Sequence, residues 1–200
     1  MTDVPVTIEI SSVQKNFNPT ASEKGREYIR ADLMKKATEY GSMSALEREL
    51  SRCFDIAKDD FDSILPFADG EDGRFAAEMY TKGAMKQKGS KIEISYDETE
   101  ATGMKGSTTS LVFAPENPKT VFMKRRGTHT SNMIFEENKT KSFIYGAEVM
   151  TLRINMFTKA VKNSVSLEKG GKLDIIYALE INNTQAQLNR IRVTVTRDDI

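Results

Sequence analysis

Residues 91–98 read KIEISYDE, and the alternation in this stretch decides the fold class. Ile92, Ile94 and Tyr96 occupy every second position, and polar or charged side chains lie between them. Because successive side chains of a β-strand point to opposite faces, this pattern predicts a strand with one buried face. Glu98 continues the buried side of the alternation, where a carboxylate needs a partner.

The same period of two recurs along the chain from Arg74 onward. Glycine, proline and asparagine residues lie between the alternating runs or at their edges, where turns need them. Eight or more short strands with no helices between them indicate an antiparallel closed barrel or a sandwich. The other runs are residues 107–113, 119–125, 132–137, 140–145, 149–157, 172–181 and 190–196.

The N-terminal part of the chain combines a strand with a segment of different character. Val4, Val6, Ile8 and Ile10 alternate with other residues and predict a further strand. In residues 16–73, apolar residues instead recur at spacings of three and four, which is typical of helices. Two capping-box sequences, which begin at Thr20 and Ser44, precede these two apolar patterns. They predict an inserted two-helix hairpin. The apolar faces of the two helices are too wide for the helices to bury only against each other, so we expect them to pack against the barrel. These faces contain Leu33, Met34, Leu46, Leu50, Cys53 and Phe54.

Length and composition predict that residues 1–200 form a single soluble domain, in which residues 1–15 and 74–197 form the barrel. Lys and Arg together equal Asp and Glu at 29 each, so the basic excess typical of nucleic-acid binders is absent. The sequence contains no run of eighteen apolar residues, so no membrane helix is expected. A single cysteine, Cys53, and the lack of a signal-peptide pattern favour a cytoplasmic location.

The sequence carries little recognisable catalytic chemistry. His129 is the only histidine, so neither a zinc site nor a catalytic triad can be assembled except around it. His129 is better explained as a residue of the barrel rim, and an acid–base pair of His129 with Glu136 ranks behind all non-enzymatic interpretations. We therefore predict no catalytic residues, no metal site and no cofactor.

Several polar side chains share the inward side of the predicted strands. Arg125 has the same parity as Val121 and Met123, and a buried arginine must either pair with a carboxylate or face an anion. Such groups are typical of a ligand pocket, but also of a small barrel filled by its own side chains. The candidate ligand-binding residues are Arg125, Glu98, Tyr96, Tyr145 and Tyr177.

Three stretches resemble the YwiB-like family of bacterial proteins: residues 125–127 (RRG), 133–137 (MIFEE) and 169–181 (KGGKLDIIYALEI). The resemblance covers residues 3–13 and about 75–196, and it implies a lipocalin-like (calycin-type) barrel. The family has no established activity, so no reaction is implied. Two features depart from the family pattern, namely the 16–73 insertion and the turn at residues 145–150 (YGAEVM).

The leading functional hypothesis is a non-enzymatic barrel that binds a small apolar or amphipathic anionic ligand. Arg125 would pair with the anionic head, Tyr96, Tyr145 and Tyr177 would line the wall, and Glu98 would orient Arg125. The alternative is a protein–protein interaction or structural module with a filled barrel. In that case the helical insertion would be the docking surface for a partner or for a second copy of the chain.

Overall fold

A computed structural model of the chain describes residues 3–17, 74–147, 150–181 and 185–199, and most of them lie in β-strands. The eight runs predicted from residue 91 onward correspond to eight of the strands. The strands are β1 (Val4–Phe17), β2 (Arg74–Lys88), β3 (Lys91–Asp97), β4 (Ser107–Ala114), β5 (Asn117–Gly127), β6 (His129–Glu136), β7 (Lys139–Ala147), β8 (Met150–Asn163), β9 (Gly171–Ile181) and β10 (Gln185–Arg197).

The ten strands form one antiparallel barrel in which each strand pairs with its neighbours in sequence. β1 closes the barrel, because it pairs with β2 on one side and with β10 on the other. Closure gives each of the described strands a hydrogen-bonded neighbour on both sides, so none of them is a free edge strand. The closure is weakest between β6 and β7, which pair only from His129–Ala147 to Ser131–Tyr145.

The prediction that the fold contains an inserted helical hairpin is wrong. The described part of the chain is a β-barrel whose only helical element is a single 3-10 turn, Glu100–Thr102. β1 extends through Phe17, beyond the predicted start of the insertion at residue 16, because its pairing with β10 continues to Ala186. The rest of the predicted insertion, including the predicted docking of Leu50 and Phe54, lies outside the described residues.

The two ends of the barrel differ in their connections. The upper end carries the connections β1–β2, β3–β4, β5–β6, β7–β8 and β9–β10, and the lower end carries the other four. The lower half is filled by apolar side chains that are at most 5% exposed, which makes it the hydrophobic core. These residues include Val6, Ile8, Met85, Ile92, Ile94, Leu111, Phe113, Val121, Phe135, Leu173, Ile175, Val193 and Val195.

The glycine pair at residues 170–171 shapes the lower end, where β9 begins. Gly170 has a φ of 68° and Gly171 a φ of 139°, both in the region that side chains rarely adopt. A Cβ atom on Gly170 would lie 2.1 Å from the carbonyl oxygen of Val195, and one on Gly171 would lie 2.5 Å from that of Ser164. Both positions therefore need glycine for space as well as for conformation.

We expect Gly170→Ala to lower the free energy of unfolding by at least about 2 kcal/mol, since backbone strain and overlap with Val195 add together. Gly89→Ala is the matched control. Its φ is 61°, but no atom lies within 4 Å of the added Cβ, so only the strain of about 1 kcal/mol applies. Urea denaturation of both variants measures the difference. Equal losses would show that close packing against Val195 is unimportant.

Candidate functional site

The upper half of the barrel contains a cavity of about 360 Å³. This volume lies at the small end of the range for ligand pockets. Four of the five candidate residues line it, namely Tyr96, Glu98, Arg125 and Tyr177. The strands bring these four side chains to one place although they come from distant parts of the sequence.

Strand register explains why the polar side chains meet. Tyr96 pairs with Thr109, Thr109 with Arg125, and Arg125 with Ser131, so one row crosses β3, β4, β5 and β6. The row continues to Tyr145 on β7, whose side chain lies outside the described part of the structure. Because in-register residues lie side by side on the same face, one inward polar residue on each strand builds a continuous polar row.

Arg125 is buried, with 8% of its surface exposed, and is held by two partners. Its Nε donates to Glu98 Oε1 at 3.2 Å and to Thr109 Oγ1 at 3.1 Å. Its Nη2 donates to Glu98 Oε1 at 3.0 Å. Of the two alternatives predicted for a buried Arg125, pairing with a carboxylate or facing an anion, the structure shows the first, with Glu98 as the partner. Nη1 makes no hydrogen bond to any residue that the structure describes, which leaves two N–H groups beside the cavity.

Glu98 has both carboxylate oxygens occupied by protein donors. Oε1 accepts from Arg125 and from the Thr109 hydroxyl, and Oε2 accepts from the Thr102 hydroxyl at 2.8 Å. The backbone N–H of Glu98 donates to the Ser107 carbonyl at 2.8 Å, which fixes the chain just beyond β3. These contacts orient the carboxylate toward Arg125 and compensate the arginine charge inside the barrel.

The two tyrosines keep their hydroxyl protons over a wide pH range. Burial raises the pKa of Tyr96 far above its usual value, and the Glu98 carboxylate raises it further. The charge of Arg125 and a hydrogen bond with Thr109 lower this pKa by smaller amounts. Burial likewise raises the pKa of Tyr177, and Arg125 opposes this effect. An edge contact with Phe135, with ring centroids 5.0 Å apart, holds the Tyr177 ring. Within the described residues, the Tyr177 hydroxyl has no hydrogen-bond partner, so it is a free donor.

The remaining wall of the cavity is mostly apolar, and sequence reasoning did not identify it as a site. Thioether side chains are prominent, since Met104, Met123 and Met133 line the same cavity as Phe143 and Leu179. Methionine adapts its shape and makes favourable contacts with aromatic rings. Thr109 was also missed, although it alternates with the buried Leu111 and Phe113 on β4 and could have been found from that parity.

The acid–base pair considered from the sequence is separated by the fold. His129 begins β6 at the upper end and Glu136 ends it at the lower end, roughly 23 Å away at about 3.3 Å per residue. Glu136 is bound instead by Lys139 and Lys141. Across the described ranges, no cluster of three metal-ligating side chains occurs. No helix among these residues has the length and apolar content that crossing a membrane requires.

Comparison with known proteins identifies a family and a fold. The family model described as Domain of unknown function (DUF1934) matches residues 68–193. The ywiB protein from Bacillus subtilis has a similar crystal structure, with a TM-score of 0.57 and 15% sequence identity. The similarity covers 98% of this chain and 92% of that protein, and at this identity it concerns the fold alone. Comparison with curated proteins gave no match.

Breaking the Arg125–Glu98 pair should destabilise the barrel because a buried charge loses its partner. We expect Glu98→Ala to lower the free energy of unfolding by about 3 kcal/mol, measured by urea denaturation. The double variant Glu98→Leu with Arg125→Met should recover most of that loss, since it leaves no lone charge. Glu100→Ala, which removes an exposed partner of Lys105, should change little. A Glu98→Ala variant as stable as the wild type would contradict this account.

The buried tyrosines should make the protein less stable at alkaline pH. Their folded pKa values lie above the unfolded value of about 10, so the unfolded state loses these protons first. The free energy of unfolding should therefore fall as pH rises above about 10, by up to about 1.4 kcal/mol per pH unit for each tyrosine. Denaturation between pH 9 and 11 measures this slope.

Replacing both residues, Tyr96→Phe with Tyr177→Phe, should flatten the slope. The control Tyr80→Phe removes an exposed tyrosine and should leave most of the slope in place. An unchanged slope in the double variant would mean that Tyr96 and Tyr177 ionise as readily in the folded protein as in the unfolded one.

Proposed function

The chain belongs to the DUF1934 family, and we propose that its barrel binds a small amphipathic ligand with an anionic head. The anionic head contacts Arg125, and the apolar part occupies the rest of the cavity in the upper half of the barrel. The observation that carries the proposal is the pair of donors without protein partners, Arg125 Nη1 and the Tyr177 hydroxyl, beside one cavity among the described residues.

Unused donors in a mostly apolar cavity favour an acceptor-rich head group. A buried polar group costs free energy when it lacks a hydrogen bond, so a carboxylate that accepts from Arg125 and Tyr177 removes that cost. Glu98 does not supply this acceptor among the described contacts, because its oxygens accept from Thr102, Thr109 and from Nε and Nη2 of Arg125. A second molecule is therefore the natural source of it.

The apolar part of the cavity favours a ligand with a ring or a short branched tail. Met123, Met133 and Phe143 present thioether and aromatic surface below the polar row. Burial of apolar ligand surface against them contributes roughly 25 cal/mol per Å². The thioethers also favour an aromatic ring.

The cavity also bears on the alternative of a filled barrel that serves only as an interaction module. Filling is complete in the lower half, where Ile94, Leu111 and Phe113 are almost fully buried. The upper half instead keeps space next to charged and hydroxyl groups. A barrel built only as a scaffold has no need for a buried arginine there, since a buried ion pair adds little net stability. This difference supports ligand binding.

Calorimetric titration with 4-phenylbutanoate, a carboxylate with an aromatic tail, tests the proposal. We expect saturable binding by the wild type and at least tenfold weaker binding by Arg125→Met, because a hydrogen bond to a charged group is lost. Tyr177→Phe should weaken binding by roughly two- to tenfold without removing a charge. This second variant keeps the test valid if Arg125→Met does not fold.

Arg126→Met is the matched control. Arg126 follows Arg125 on β5 but is exposed on the outer face, so its loss should leave the affinity unchanged. Absence of saturable binding to the wild type would contradict the proposal. Equal weakening by Arg125→Met and Arg126→Met would contradict it as well, because it would show a general charge effect rather than a contact in the cavity.

A further inference from the structure

The charged side chains of the cavity wall restrict the number of negative charges that the head group of the ligand can carry. The charged side chains that line the cavity, within the described residues, are Glu98, Arg125 and Arg190. Arg125 Nη2 is 3.0 Å from Glu98 Oε1. Arg190 donates to Asp174 through Nε at 2.9 Å and through Nη2 at 2.6 Å. Each arginine on the wall therefore already has a carboxylate partner.

We propose that Glu98 is a specificity-determining residue that limits the ligand to a head group with a single negative charge. A carboxylate that accepts from Arg125 Nη1 lies across one guanidinium group from Glu98. Its attraction to Arg125 is then partly offset by repulsion from Glu98. This inference rests on the proposed function and adds the charge class of the ligand to it.

A second negative charge changes the balance. The free energy needed to remove an ion from water rises steeply with its charge. The attraction of a second charge to Arg125 is reduced by repulsion from Glu98, just as that of the first charge is. Each arginine of the described wall is already bound to a carboxylate, Arg125 to Glu98 and Arg190 to Asp174, which also binds Arg192, so neither wall arginine can turn fully to a dianion and offset its cost. A carboxylate monoanion is therefore accepted, whereas a phosphate ester, which is close to doubly charged above pH 7, is rejected.

The position of Glu98 makes it a selectivity element rather than a simple anchor for Arg125. Thr109 also accepts from Arg125 Nε at 3.1 Å, so the guanidinium keeps a neutral partner without the carboxylate charge. In Glu98→Gln, the amide oxygen can still accept from Thr109 and Arg125, so the variant removes the charge and retains the shape. Glu98 acts on the ligand through the field that it adds at the head group.

A matched pair of probes with the same tail tests the inference, namely 4-phenylbutanoate and 4-phenylbutyl phosphate, titrated at pH 8 by calorimetry. We expect the wild type to bind the carboxylate at least tenfold more tightly than the phosphate. Glu98→Gln should tighten phosphate binding at least tenfold and carboxylate binding by less, so that the preference shrinks or reverses. The control Glu100→Gln removes an exposed charge from the same β3–β4 connection and should leave the preference unchanged.

A measurement on the wild type alone keeps the inference testable if Glu98→Gln does not fold. Lowering the pH from 8 to 5.5 converts the phosphate ester from mainly dianion to mainly monoanion, with a pKa of about 6. The wild type should then bind the phosphate several-fold more tightly at pH 5.5, while carboxylate binding changes little.

The outcomes separate the two proposals. If the wild type binds neither probe, the proposed function fails. If it binds the phosphate as tightly as the carboxylate at pH 8, or if Glu98→Gln leaves their ratio unchanged, ligand binding stands and the role of Glu98 is overturned.

Discussion

The pairing of β1 with both β2 and β10 is the constraint on which the rest of the structure depends. It joins the two ends of a ten-stranded sheet and converts it into a barrel with a distinct inside. Once the barrel is closed, every second side chain of every strand must point into the same enclosed space. Closure therefore decides that Arg125, on β5, and Glu98, just beyond β3, share an interior and have to neutralise each other there.

Register then converts a shared interior into a specific arrangement. Tyr96, Thr109, Arg125 and Ser131 form one row because hairpin connections fix the alignment of successive strands. A slip of one residue in any of these pairs would turn an inward polar side chain outward and an outer side chain inward. The ion pair and its threonine partners thus depend on the same turns that set the barrel register, and site geometry and fold cannot vary independently.

Sequence alternation could predict the strands and the inward parity of Arg125 and Glu98, because both follow from a period of two within single segments. It could not show that Thr109 bridges them, since that contact depends on which strands are neighbours. β2 was not delimited as a separate strand within the alternating region, because Gly83 and Ala84 weaken its apolar pattern. The capping boxes at Thr20 and Ser44 are local signals, and local signals do not determine the architecture of a closed sheet.

The two halves of the barrel meet different physical requirements. Branched and aromatic side chains such as Ile94, Leu111 and Phe113 fill the lower half to near-complete burial, which supplies the apolar free energy that stabilises the fold. That stability allows the upper half to hold an ion pair and donors that have no partner among the described residues, both of which are costly on their own. The adaptable side chains of Met123 and Met133 lie where the filled half meets the cavity. A cavity with buried polar groups at one end of a barrel whose other end is closely packed is the arrangement expected of a functional site.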